Sequence, residues 1–278
     1  MQTSFLSVVF IIDELPDRRS LVAALPAIHT QVSANFTAFE YVIINNRPEA
    51  KPEEDLAALP AELRPFIYLI NLSSRTDRNH AWLAGLDRAN GDYTVLLENN
   101  LIDQPQLVIQ LFEKSQEGFD LVYLRAPRRQ SSTLRPLYGI FHWIMQRYSQ
   151  LQIDELAHHT RIISRRALNS LLRLRENMRY MKAVYSMVGF PTSYLETDKV
   201  LTSPENFRER FRTSLLAITS YTTFLRSLMG WIFAGSFLFL VGVVLNALLV
   251  RFAGVDLFGR PEQAVSGWAY LVVLIAVF

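Results

Sequence analysis

Two strand-like runs end in side chains able to do chemistry. "YVIINNRP" carries its apolar run into Asn45-Asn46, and "VLLENNLIDQP" runs from Val95 to Leu97 into Glu98-Asn99-Asn100 before Pro105. A carboxylate can hold a hard divalent cation, whereas an amide oxygen ligates without supplying formal charge. Asparagine at a strand end also forms turns, because its side chain bonds local backbone. Its recurrence at two strand ends is what makes the pattern informative. A third group lies further on, in "HHTRIISRR". There Arg161, Arg165 and Arg166, with Arg125, Arg128 and Arg129 upstream, could hold a phosphate or a lipid headgroup, since guanidinium suits bidentate phosphate contact. Solvated arginines are the alternative. His158 and His159 are neighbours, so in a strand they point to opposite faces and do not easily chelate one ion. A structural or phosphate-contacting histidine is expected there, and no metal site is assigned.

Elements that would position these groups alternate along the first half of the chain. Strands are expected at Phe5–Ile12, Tyr41–Ile44, Phe66–Ile70, Tyr93–Leu97 and Leu121–Leu124, with helices at Arg18–Gln31, Asn79–Ala89 and Pro105–Lys114. Such alternation predicts a mainly parallel sheet covered on both faces. Ligands on these sheets bind beyond the carboxyl ends of the strands, which is where both asparagine pairs fall. After Leu124, apolar residues from Leu137 to Leu151 recur at helical spacing, flanked by Arg128, Arg129, Arg135 and Arg147. This amphipathic segment suits a membrane interface or, alternatively, a core-facing helix. Phe207 to Arg226 is similar.

Half of the 278 residues are hydrophobic, the net charge is only +2 and there is no cysteine. The balance of charge argues against nucleic acid as a partner, and disulfides and thiolate metal sites are excluded. The apolar run Phe5 to Ile12 lacks the flanks of a signal peptide and reads as a buried strand. From Ser227 to Val250 the chain is uncharged, long enough to cross a bilayer. A second apolar run, 265–278, stops where the sequence stops, and a continuation is expected. Arg208, Arg210, Arg212 and Arg226 before the first span predict a multi-pass membrane protein whose N-terminal domain is cytoplasmic.

Several stretches together resemble a known family. "SVVFIIDEL", "FEYVIINNRP", "NHAWLAGLDRANGDYTVLLENNLIDQPQLV", "TRIISRRALNSLL" and "ITSYTTFLRSLMGW" are similar, in order, to the inverting glycosyltransferases that load polyprenyl phosphate, the dolichyl-phosphate mannose synthase and bactoprenol glucosyltransferase group. The resemblance implies an α/β fold of the GT-A, nucleotide-sugar type with amphipathic interface helices and C-terminal transmembrane helices. It implies three regions: a nucleotide-sugar-binding core over 1–130, the rest of the GT-A domain with its interface helices over 131–226, and spans at about 227–250 and 265–278.

The same resemblance implies site residues, and this chain departs from them. The family's paired aspartates fall on Asn45 and Asn46, its D-x-D on Glu98-Asn99-Asn100, and the acid before F-R-x-x-S-R-R on His159. The proline and asparagine of the first loop fall on Ile11 and Glu14. Asn45, Asn46, Glu14 and Glu98 remain nucleotide-binding candidates, while Glu98, Asn100 and His159 mark degenerate catalytic positions. The family's Mg²⁺ or Mn²⁺, which offsets charge on the departing diphosphate, is not expected here. Two functions follow: a non-catalytic subunit in lipid-linked sugar or cell-envelope glycan assembly, or an active polyprenyl-phosphate glycosyltransferase with a rearranged, metal-independent site. The partners expected are the bilayer, polyprenyl phosphate, and an active glycosyltransferase, another membrane protein or a second copy of the chain.

Overall fold

The computed structural model describes residues 1–127, 135–149, 154, 156–174, 181–197, 199 and 207–261. The chain divides into two compact units, Met1–Tyr221 and Thr222–Phe278. The first is built on strands β1 (Gln2–Ile12), β2 (Phe36–Asn45), β3 (Ile67–Asn71), β4 (Tyr93–Leu96), β5 (Leu121–Arg125), β6 (Ala157–Ser164) and β7 (Thr192–Glu196). Its helices are α1 (Leu15–Asn35), α2 (Glu53–Ala57), α3 (Arg78–Arg88), α4 (Gln106–Gln116), α5 (Arg135–Tyr148), α6 (Arg165–Arg173), α7 (Met181–Met187) and α8 (Phe207–Tyr221). The strands form one sheet in the order β3-β2-β1-β4-β6-β5-β7.

Period-two alternation explains how the sheet is held. Leu6, Val8, Phe10 and Ile12 of β1 face one side, where α1 brings Leu21, Leu25, Ile28 and Val32 and α4 brings Leu107, Val108, Leu111 and Phe112. Val9 and Ile11 face the other, against Trp82 and Leu86 of α3, Leu168 and Leu171 of α6, and Val184 of α7. With both faces covered, β1 and β2 read as continuous apolar runs, as doubly covered strands do.

The five predicted strands are all present. The sheet is mixed, however: β6 runs antiparallel to both β4 and β5, whereas the pairings of β1, β2, β3 and β4 and of β5 with β7 are parallel. Strand direction follows from the connections and leaves no mark on residue type, which is why the mainly parallel expectation missed β6. The edge strand β7 was missed because its exposed and half-buried residues offer little apolar signal.

The second unit contains α9 (Phe224–Ala253), the only helix among the described residues long and apolar enough to cross a membrane. Its 30 residues span about 45 Å, and its Trp231 and Phe233 side chains are about three-quarters exposed. The expected second span, 265–278, lies outside the described residues; among the described residues α9 is one candidate span. The expected segment Phe207 to Arg226 is not one helix. It breaks at Thr222-Thr223, where the Phe224 amide donates to Thr222 Oγ1 at 3.3 Å.

Just before β4, Gly91 donates its amide to Ser7 Oγ at 2.7 Å, and Ser7 in turn donates to the buried Glu40 at 2.7 Å. A Cβ on Gly91 would stand 2.5 Å from the Ser7 nitrogen and 2.7 Å from the Tyr93 oxygen. Backbone cannot move aside as a side chain can, so Gly91→Ala is expected to cost more than about 2 kcal/mol. Urea unfolding in detergent checks this, and an unchanged midpoint would contradict it.

Candidate functional site

Strands β1, β2 and β4 lie side by side and parallel, so their carboxyl ends open at one edge of the sheet. The chain leaves β1 through Asp13-Glu14, leaves β2 through Asn45-Asn46, and leaves β4 through Leu97 into Glu98 and a 3₁₀ turn, Asn99–Leu101. Asn99 Nδ2 donates to the Ile11 carbonyl at 2.7 Å, tying that turn to the end of β1. Asn46 is a latch: its Nδ2 donates to Asp13 Oδ1 at 2.9 Å and to the Thr76 carbonyl at 3.0 Å, while its Oδ1 accepts from the Thr76 amide at 2.9 Å. Asn45 turns away from this cluster. Its Nδ2 donates to Asn71 Oδ1 at 2.8 Å, and its Oδ1 accepts from the Arg47 amide.

Glu98 is the centre of the site and is 2% exposed. Its Oε2 lies 3.1 Å from His158 Nε2, and its Oε1 lies 3.6 Å from Nη2 of Arg78. The other arm of Arg78, Nη1, reaches Asp13 Oδ2 at 3.3 Å. Burial alone would raise the Glu98 pKa, but the charges of His158 and Arg78 and the His158 hydrogen bond together hold it well below its ordinary value. Thr160 Oγ1 accepts from the Glu98 amide at 3.2 Å, and the Thr160 amide donates to His158 Nδ1 at 3.2 Å. Antiparallel β6 thus delivers the partner of Glu98.

The second histidine behaves differently. Burial lowers the His159 pKa well below its ordinary value; Glu98 opposes this, and Lys182, Arg161 and His158 add to it. His159 is therefore neutral near pH 7. Arg161 is buried, with its guanidinium 3.7 Å from the centre of the Tyr185 ring and donating to the carbonyls of His158 and His159. Lys182 donates to the Ala157 carbonyl at 2.5 Å.

Of the other arginines, Arg165 donates to the carbonyls of Ala89 and Gly91, and Arg166 grips Asp120 through two bonds. Arg125 is paired with Asp154 and Glu196. These three fasten the scaffold, while Arg161 lies beside the site; Arg128 and Arg129 lie outside the described residues. Glu14 is at the N-terminus of α1, half-exposed and 3.8 Å from Arg75. Sequence reasoning missed Asp13, Arg78, Thr76, and His158 as the contact of Glu98. Asp13, directly after an apolar strand, was legible by the rule that sites form at strand ends; Arg78 had no local signal.

A divalent ion does not fit these residues. Both oxygens of Glu98 already face a protein group, Oε1 the Arg78 guanidinium and Oε2 the His158 ring. No three His, Cys, Asp or Glu side chains among the described residues converge as metal ligands.

Comparison with known proteins places this geometry. The sequence model described as glycosyl transferase family 2 matches residues 19–172. A bactoprenol glucosyl transferase of Shigella phage SfV is 28% identical over 244 residues, covering 85% of this chain and 76% of that protein. An uncharacterized glycosyltransferase of Synechocystis sp. is 26% identical over 249 residues, covering 85% and 74%. A solved mycobacterial protein superposes with a TM-score of 0.51 at 14% identity, covering 78% of this chain and 73% of that one. This last likeness speaks for the fold alone, which is α/β and GT-A-like.

Two outcomes test the site's electrostatics. Glu98→Gln leaves His158 and Arg78 without the buried charge they face, and is expected to cost about 3 kcal/mol in chemical unfolding. His159 takes up a proton more readily in the unfolded chain than in the folded one. Its contribution is therefore lost as pH falls below the ordinary histidine value of about 6.5, by at most about 1.4 kcal/mol per pH unit. His159→Asn is expected to flatten the stability profile between pH 7 and 5; an identical slope in both proteins would refute the assignment.

Proposed function

We propose that this chain, which belongs to glycosyl transferase family 2, is a membrane-anchored member that no longer transfers sugar through a metal-bound nucleotide. It acts as a non-catalytic subunit in lipid-linked sugar or cell-envelope glycan assembly. The observation that carries this reading is the engagement of Glu98 by His158 and Arg78, beside the uncharged Asn100. A carboxylate that faces Arg78 and bonds His158 has little charge left for a metal ion, and amides add none.

Membrane placement is supported by α9 and by two helices of the first unit that pack on each other, α5 and α8. Ile140 and Trp143 on α5, and Phe211 and Leu215 on α8, are about half exposed, with Arg147, Arg208 and Arg212 on the same helices. Apolar residues interspersed with arginines suit an anionic lipid surface. By the excess of arginines before α9, the N-terminal unit is cytoplasmic. The lipid partner is a polyprenyl phosphate of the bactoprenol kind, named by the relatives. The protein partner is an active glycosyltransferase, another membrane protein or a second copy of the chain.

A second reading, metal-independent transfer, draws on two buried cations, Arg161 near Glu98 and Lys182 near His159. They would bear the diphosphate charge in place of a metal. Calorimetric titration of the full chain with UDP- and GDP-sugars, with and without Mn²⁺, separates the readings. No Mn²⁺-dependent binding is expected, and aspartates placed at Asn45, Asn46 and Asn100 are expected not to restore it. Mn²⁺-dependent binding to the wild-type chain would sink the non-catalytic reading, and binding insensitive to chelator would favour the second.

A further inference from the structure

The guanidinium of Arg78 holds a position that chemistry would otherwise give to a small cation. Asp13 and Glu98 leave the ends of adjacent parallel strands, β1 and β4, whose last paired residues are Val9 and Leu96. Their side chains are 13% and 2% exposed, and that of Arg78 is 9%. Two carboxylates brought together away from water cannot both stay ionised without a positive charge between them. The outer oxygens are already committed, Asp13 Oδ1 to Asn46 and Glu98 Oε2 to His158. The inner oxygens, Asp13 Oδ2 and Glu98 Oε1, each face one arm of Arg78, at 3.3 and 3.6 Å.

Two features mark this as a cation position and not a tight fork. The separations exceed the 2.7–2.9 Å of a charge-assisted hydrogen bond, and Glu98 Oε1 has no hydrogen-bond partner among the described residues. Asn99 Oδ1 and Asn100 Oδ1, from the turn that begins at Glu98, are likewise buried and without such partners. The two inner carboxylate oxygens are the donor type that hard divalent ions take. Arg75 also approaches Asp13, at 3.9 Å, but its side chain is 44% exposed.

We propose that Arg78 is a resident cation that has taken the place of a divalent metal, and that removing its charge turns the Asp13–Glu98 pair into a Mg²⁺ or Mn²⁺ site. This deepens the metal-free reading given above, since it names the group that makes the metal unnecessary. Arg78 keeps the two strand ends together whether or not a nucleotide ever binds.

The test uses the full chain in detergent with Mn²⁺ alone and no nucleotide, so its result is independent of whether nucleotide-sugars bind. Free Mn²⁺ is followed by its electron paramagnetic resonance signal, and thermal unfolding is recorded in parallel. Wild-type protein is expected to take up no stoichiometric Mn²⁺. Arg78→Ala is expected to bind one ion per chain, to gain thermal stability from it, and to lose at least tenfold in affinity when Glu98→Gln is added. Arg78→Lys keeps the charge and is expected to ignore Mn²⁺ as wild type does. Should Arg78→Ala need metal to fold, refolding in Mn²⁺ supports the proposal, and a chain that stays unfolded in Mn²⁺ overturns it. A folded Arg78→Ala that binds no more Mn²⁺ than wild type overturns it too. So does a Lys variant that binds like the Ala variant, or a wild-type chain that binds one ion through Glu98.

Discussion

A carboxylate taken out of water must be given its counter-charge by the protein, or it takes up a proton. Glu98 stands under that constraint, and the site is organised around meeting it. Its position is imposed by β4, which carries the backbone into a covered edge of the sheet. The counter-charge comes from Arg78 in the first turn of α3, and a hydrogen-bonding partner comes from His158 of β6. Because β6 runs antiparallel between β4 and β5, its first residues meet the end of β4, and a histidine far away in sequence becomes the neighbour of Glu98. Thr160 completes the arrangement by accepting from the Glu98 amide and donating its own to His158.

The amides at the strand ends follow the same economy of charge. Asn46 both donates to Asp13 and closes on Thr76, which fastens the loop before α3 to the end of β2. An aspartate could accept from Thr76 but could not donate to Asp13, and it would add a negative charge beside one already present. Asn99 holds the Ile11 carbonyl in a comparable way. These asparagines therefore join strand ends that carboxylates would push apart unless a strong cation sat among them.

The arginines separate into two sets for a related reason. Arg165 and Arg166 begin α6 and are used at once, one capping carbonyls at the start of β4 and the other neutralising Asp120. Arg161 points inward from β6 and stacks on Tyr185; burial lowers its pKa from the ordinary value, and Tyr185, Tyr123 and Glu98 oppose this. Residue type alone marked all three as phosphate candidates. Only their register on the strand and helix separates the inward one from those that fasten the scaffold.

The linear sequence was enough to read the alternation of elements, the five principal strands, the two asparagine-bearing strand ends, the apolar helix near the C-terminus and the family resemblance. Each rests on local periodicity or on residues close in sequence, such as Val95 to Asn100, where a strand's apolar run and its polar end are adjacent. What folding alone settled is which distant groups meet. Nothing local in "TDRNHAW" says that Arg78 lies between Asp13 and Glu98, or in "HHTRII" that His158 bonds to Glu98 while His159 is held neutral. Those contacts depend on the order and direction of β1, β4 and β6 in the sheet, which arise from long-range packing and leave no trace in composition. The charge state of the site is likewise a property of burial and proximity, so it exists only once the chain has folded.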